Sequence, residues 1–267
     1  AESDDPLLIS GPRGSGKEAL ARVIHGAGPR ARKPFVVMRC GPQADDAAED
    51  AVFGDALDAA RGGTLFLDDV GELAPSVQTR LLPLAREISL FSASTARARP
   101  VRIIAATSQA LDNAIRAGQF RADLFYSLNQ TALTVPPLAE RRDDIPPLAA
   151  HFAGRWAERT RGAVHGFAPD ALTMLQEASF PGNVRQLRNV VEQAIGQTVT
   201  PLVPASLVRR VLREENEREM AAFDDARRAF EYDYLVELLT NTAGNVAQAA
   251  RIAQRNRTEF YKLLARH

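Results

Sequence analysis

Short, uninterrupted apolar runs punctuate the first half of the chain: PLLIS (6–10), FVVM (35–38), TLFL (64–67), VRIIAA (101–106) and ALTV (132–135). A strand wetted on one face alternates polar and apolar positions. These runs do not, so they read as strands buried on both faces. Between them lie longer stretches with helical spacing, such as Lys17 to His25 and Ser76 to Ile88. Strands alternating with helices predict an α/β layer sandwich built on a mostly parallel sheet. Pro83, inside the second helical stretch, predicts a kink. After VPPL (135–138) the strand pattern stops, and helical patterns with Pro and Gly breaks run from about residue 144 to 196, which predicts a small helical subdomain. TVTPLVPAS (198–206) reads as a boundary, and the charged run RRVLREENERE (209–219) as a solvated helix face or linker. Apolar residues then recur at 223, 226, 230, 234 and 238 until NTAGN (241–245) breaks the helix. The expected organisation is an α/β unit over 1–138, a helical subdomain over 139–200, a linker over 201–222 and a helical C-terminal unit over 223–267.

Composition narrows the function. With 33 basic and 33 acidic residues the net charge is zero, so any surface for nucleic acid must be local. Cys40 is the only cysteine and the four histidines are scattered, which argues against disulfides and structural metal and fits a reducing cytoplasm. No apolar run approaches the roughly 18 residues of a membrane span, and no signal peptide is visible. The chain starts without methionine and enters its first strand almost at once, which reads as a fragment lacking an N-terminal region.

The first chemistry lies in GPRGSGKE, Gly11 to Glu18, between a predicted strand and a predicted helix. In that context Gly11, Gly14 and Gly16 let backbone N–H groups, including those flanking Ser15, turn toward phosphate oxygens. Lys17 reaches the outer phosphates and the helix N-terminus adds positive potential. Glu18 stands where such loops usually have a Ser or Thr that binds Mg²⁺. Asp68 ends the strand TLFLD, where a carboxylate holds Mg²⁺ directly or through water.

GPRGSGKE, GGTLFLDD, VRIIAATS, FRADLFYSLN, VPPLAERRDDI and FPGNVRQLRN occur in one order over roughly residues 6 to 200. This set resembles the AAA+ central domain of bacterial enhancer-binding proteins, the activators of sigma-54 RNA polymerase, in which Glu commonly follows the P-loop lysine. The resemblance implies an ATP-binding AAA+ fold with a helical lid, assembled as a ring with ATP between subunits. It makes Lys17 and its loop the phosphate cradle and Asp68 the magnesium carboxylate. It places Thr107 and Ser108 at the sensor I motif, Arg185 at the sensor II arginine of the lid, and Arg121 at one of two arginines that approach a neighbour's ATP. Read from the residues alone, Pro181-Gly182 forms a turn, and Asn183 and Gln186 form an N-cap and N3 pair that aims the next helix.

Four departures from the family follow. Asp69 takes the water-activating position, where the family has Glu. Arg39 replaces an asparagine that holds and releases that Glu; it either pairs with Asp69 or points to solvent. Ser127 replaces the second arginine of the interface pair. Finally, only seven residues separate Gly54 from Gly62, so the long GAFTGA loop that touches the sigma factor is absent.

The final segment, TAGNVAQAARIAQRNRTEFYKLLARH, reads as two short helices with a turn near residues 254–256. Ala247, Ala250 and Ile252 are expected to pack in the first, and Phe260, Leu263 and Leu264 in the second. Five basic residues, Arg251, Arg255, Arg257, Lys262 and Arg266, stand against Glu259 alone. A helical hairpin used for packing and a helix-turn-helix set in the major groove both fit this pattern. The segment also resembles the Fis-type DNA-binding domain, which implies double-stranded DNA as partner, a dimer on two half-sites, and Asn256, Arg257, Thr258, Tyr261 and Lys262 as contacts.

Two functions are expected. One is a DNA-binding transcriptional regulator whose AAA+ domain binds ATP and Mg²⁺, hydrolyses weakly or not at all, and either contacts another form of RNA polymerase or represses by occupancy, without remodelling the sigma-54 form. The other is a working ATPase of the activator class that contacts polymerase through another surface. By analogy with loop-lacking relatives that respond to cyclic dinucleotides, AERRDD (139–144) is also a candidate for such a site.

Overall fold

The computed structural model describes residues 4–41, 46–91, 101–160 and 166–215, and toward the C-terminus 234–236, 238–239, 242, 245–253, 255–256, 260–261 and 264. The chain divides into two compact units, Ala1–Val203 and Pro204–His267.

In the first unit five strands form one parallel sheet: β1 (Leu7–Ser10), β2 (Phe35–Arg39), β3 (Thr64–Asp68), β4 (Arg102–Thr107) and β5 (Thr131–Thr134). Their order is β2-β3-β4-β1-β5. The apolar runs place each strand within a residue or two, because β1, β3 and β4 are buried on both faces. The fifth differs from expectation: β5 is an edge strand with all four residues exposed. The run ALTV (132–135) reads like an interior strand, but nothing in the local pattern specifies whether a helix covers it.

Helices α1 (Lys17–Gly26), α2 (Asp46–Ala59), α3 (Pro75–Phe91), α4 (Leu111–Arg116) and α5 (Ala122–Leu128) connect the strands. Helix α3 continues through Pro83, which lies on its exposed side. The carbonyl that loses its helical donor there belongs to Thr79, on the exposed side of the helix, and the helix is not ended. One apolar cluster on one side of the sheet includes Leu65, Leu67, Ile103, Phe53, Val77 and Leu124. The opposite side packs Ile9, Phe66, Ile104 and Ala21. Four residues, 60–63, join α2 to β3, with Gly62 at φ 74° in the turn.

The helical subdomain holds α6 (Ile145–Thr160), α7 (Pro169–Glu177) and α8 (Asn183–Gln197). It also has a two-stranded parallel ribbon of β6 (Gly166–Phe167) and β7 (Leu202–Val203), absent from the sequence reading because two residues are too short to show a period. In the second unit, α9 covers 205–215 and α10 runs from Val246 to Ile252. Leu235, Leu238, Ala249, Ala250 and Phe260 form its buried cluster, with Val246, Ala253 and Leu264 against it. The packing face of α10 is therefore Val246, Ala249, Ala250 and Ala253. Ala247 and Ile252, expected inside, are exposed, because the helix phase is rotated by about one residue from the expected one.

Candidate functional site

A parallel sheet brings all its strand C-termini to one edge, and the site is built there. Register pairs Ser10 with Thr107 and Arg39 with Asp68, so four strand ends lie side by side. The loop from Gly11 to Gly16 leaves β1 and enters α1, anchored by the Gly11 N–H on the carbonyl of Thr107 at 3.2 Å. Gly14 and Gly16 sit at φ 74° and 102°, the left-handed region that glycine adopts without strain. A cavity of about 550 Å³ opens over this edge, lined by Arg13, Gly14, Gly16, Lys17, Glu18, Arg39, Asp68, Asp69 and Arg185, with Phe152 and Arg188 from the helical subdomain.

That subdomain closes directly on the loop. Three successive loop carbonyls each accept a hydrogen bond from it: Arg13 from Asn183 Nδ2 at 3.0 Å, Gly14 from the Arg185 N–H at 3.2 Å, and Ser15 from Arg141 Nη2 at 2.6 Å. A Cβ on Gly14 would stand 2.3 Å from the carbonyl oxygen of Gly182, so only glycine permits this approach. With its carbonyls turned outward and held, the loop can present N–H groups inward, as a phosphate cradle requires.

Asn183 is thus not the N-cap expected from sequence. It has φ 56° and accepts from the Leu138 N–H at 2.8 Å, so it bridges three segments. Gly182 precedes the helix instead, and Gln186 reaches back to its N–H at 3.1 Å. Arg141 and Arg142 of AERRDD are likewise engaged, Arg142 on the carbonyls of Gln176 and Glu177. Their roles inside the fold weaken the case for that segment as a ligand site.

Lys17 is buried, with Nζ 2.9 Å from the Gly11 carbonyl. Burial lowers its pKa, opposed by Asp69 and Asp68. For Asp68 burial raises the pKa and repulsion from Asp69 adds to this, while Lys17 opposes. Asp69 has left-handed backbone, φ 58°, and its Oδ1 accepts from both the N–H and the hydroxyl of Ser108, at 3.1 and 2.7 Å. Its Oδ2 lies 3.9 Å from Arg13 Nε. The Arg39–Asp69 pair considered from sequence is not formed among the described residues. Arg39 lies exposed at the cavity wall, in register with Asp68, while Ser108 and Arg13 hold Asp69.

Of the sensor I pair, Ser108 meets the site and Thr107 does not: Thr107 is buried and exchanges hydrogen bonds with the Gln109 backbone. Glu18 borders the cavity and pairs with Arg22 one turn on, at 2.7 Å. The hydroxyl of Ser15 is buried without a partner among the described residues. Arg121 lies outside the cavity, bidentate to Asp123 at 3.0 and 2.9 Å, with its N–H on the buried Gln78. Ser127 turns its hydroxyl back to the Asp123 carbonyl.

The sequence reading did not single out Arg13 or Glu72, and named Arg141 only within AERRDD as a candidate for another ligand. Arg13 occupies a loop position where the backbone rather than the side chain carries the motif, and it also pairs with Glu72. In the second unit Asn245 caps α10, accepting from the Gln248 N–H at 3.2 Å. The Asn256 carbonyl accepts from the Phe260 N–H at 3.0 Å, and Tyr261 is exposed. The other three contact candidates, Arg257, Thr258 and Lys262, lie outside the described residues.

A P-loop at the end of the first strand, an acidic strand end two strands away and a helical lid seated on the loop define a P-loop NTPase fold of the AAA+ class. Comparison with known proteins narrows this. The sigma-54 interaction domain matches residues 1–134 and the AAA+ ATPase lid domain residues 139–224, so the chain belongs to the sigma-54 interaction domain family. It is 44% identical over 283 aligned positions to the transcriptional regulatory protein GlrR of Escherichia coli K12, covering 100% of this chain and 64% of that protein. It is 36% identical to ZraR of Klebsiella oxytoca, over 94% of this chain and 61% of that protein. The crystal structure of NtrX from Brucella abortus in complex with ATP superposes with a TM-score of 0.63 at 33% identity, covering 98% of this chain and 64% of that one. The chain therefore spans just under two thirds of these relatives.

Proposed function

We propose that this chain is the ATP-binding and DNA-binding part of a transcriptional regulator that binds Mg-ATP, hydrolyses it weakly or not at all, and does not remodel sigma-54 polymerase. The carrying observation is the convergence of Lys17, Asp68 and Arg185 on one cavity around a loop whose carbonyls the lid holds outward. That a relative was solved with ATP supports the choice of nucleotide. Magnesium fits as an ion carried by the phosphates. Asp68 and Asp69 repel each other beside one lysine, and a cation relieves that, yet no cage of three or more His, Cys, Asp or Glu converges among the described residues.

Weak turnover is supported by the catalytic groups. Asp69 is a methylene shorter than Glu, and its Oδ1 is taken twice by Ser108. A misplacement of about 1 Å can cost on the order of a hundredfold in rate. Of the interface arginines only Arg121 remains, and Ser127 carries no charge. An arginine finger contributes roughly 10³ to 10⁵ in rate where it acts. The four-residue α2–β3 connection supports the absence of the sigma-contacting loop. The C-terminal helices, with exposed Arg251, Arg255 and Tyr261, support double-stranded DNA as partner, read by a dimer. A homo-oligomeric ring and contact with a form of RNA polymerase complete the reading.

The alternative, a working ATPase of the activator class that uses another surface on polymerase, is not favoured by the family match. Phosphate release from Mg-ATP over a range of protein concentrations, with Lys17→Ala as control, separates the two. Binding without turnover above the control supports the first. Turnover that rises with assembly supports the second.

A further inference from the structure

A phosphate cradle is made by backbone, yet the side chain of Arg13, which lines the cavity, is tied into the acidic half of the site. Its Nη2 pairs with Glu72 Oε1, and its Nε points at Ser108 Oγ at 3.4 Å and at Asp69 Oδ2 at 3.9 Å. Ser108 in turn donates to Asp69 Oδ1. Both carboxylate oxygens of Asp69 are thereby faced by donors, and the Arg13 carbonyl is itself fixed by Asn183 of the lid. We infer that Arg13 is a positioning residue that clamps Asp69 in a non-productive orientation and limits ATP turnover.

The inference rests on the ATP-site reading above. In hydrolysis a water oxygen bonds to the γ-phosphorus, the bond to the β–γ bridging oxygen breaks with its electron pair leaving on ADP, and the water proton passes to a carboxylate. Asp69 serves as that acceptor only when one of its oxygens faces the water. A guanidinium beside Oδ2, fixed at its head by Glu72, competes for that oxygen. Because Arg13 is 65% exposed, its removal leaves no buried void, and solvent screening keeps the effect of its contact with Asp69 modest.

The test compares Arg13→Gln and Arg13→Lys with the parental chain, reading kcat and KM for Mg-ATP, and the affinity of ATP by calorimetry. Arg13→Gln is expected to raise kcat by up to roughly fivefold, the upper scale of a solvent-exposed ion pair, with KM and thermal midpoint unchanged. Arg13→Lys, which keeps a cation, is expected to stay near the parental rate. If parental turnover lies below detection, measurable turnover in Arg13→Gln supports the clamp and its absence overturns it. A lower kcat in Arg13→Gln overturns it too, since the guanidinium then serves the phosphate. So does a parallel rise of kcat and KM. ATP binding by the parental chain with no gain in Arg13→Gln refutes the clamp alone, whereas no ATP binding refutes the site reading on which it stands.

Discussion

Asn183 Nδ2 donates to the carbonyl of Arg13 at 3.0 Å, across 170 residues of sequence, while its Oδ1 accepts from the Leu138 N–H at 2.8 Å. One buried amide therefore joins the phosphate loop, the segment that leads out of the sheet, and the first turn of the lid helix. Its left-handed backbone adds a second constraint, since asparagine enters that region at lower cost than alanine.

Asn183→Ala is accordingly expected to cost about 2–4 kcal/mol, from orphaned buried partners and backbone strain together. Urea unfolding followed by circular dichroism measures it. Asn183→Gly, which relieves the backbone but not the lost hydrogen bonds, should fall between parent and Asn183→Ala. Equal losses in both would place the whole effect in the side-chain contacts.

Asp68 gives a pH-dependent prediction. Burial and the Asp69 charge raise its folded pKa above the ordinary value of 3.8, so the folded state holds the proton more tightly than the unfolded chain. Its stabilising contribution is then full below the unfolded pKa and lost as pH rises through the folded one. Asp68→Asn should raise the thermal midpoint of the nucleotide-free protein at pH 7. The gain should vanish below about pH 4, the ordinary carboxylate range. The same variant should lose the magnesium-dependent part of its ATP affinity.

Cys40 follows β2 directly and is buried, and burial together with Glu49, Asp68, Asp69 and Glu72 pushes its thiol well above the ordinary range. The thiolate is the reactive form. Native protein at pH 8 should therefore resist alkylation by iodoacetamide and react with one equivalent after unfolding, read by intact mass. Rapid native labelling would mean that the strand end opens.

Neighbouring residues in the C-terminal unit should separate folding from DNA contact. Phe260 is fully buried, whereas Tyr261 is 48% exposed. Phe260→Ala should cost about 3–5 kcal/mol and melt the unit, seen as lost amide protection. Tyr261→Ala should leave protection intact and weaken binding to a two-half-site duplex. Unchanged affinity in Tyr261→Ala would remove that residue from the proposed DNA contacts.

Much of this protein was legible in its sequence because the signals are local. Continuous apolar runs located the five strands, and GPRGSGKE fixed the loop that α1 follows, since glycine spacing acts within a few bonds. Asp68 was readable for the same reason, as the residue at which an apolar strand ends.

Other features depended on what meets what across the sheet edge. Only the fold showed that β5 lies exposed at the edge, that Asn183 is a bridge and not a cap, and that Asp69 is held by Ser108 and Arg13 rather than Arg39. A strand's apolar pattern does not say which neighbours cover it, and a side chain's charge does not say which of several nearby partners it meets. Those outcomes are set when the parallel register brings Ser10, Arg39, Asp68 and Thr107 to one edge and the lid closes over Gly14. The sequence by itself determined the elements and the chemistry available at their ends; the tertiary structure decided the pairings, because distances between residues remote in sequence exist only once the sheet is assembled.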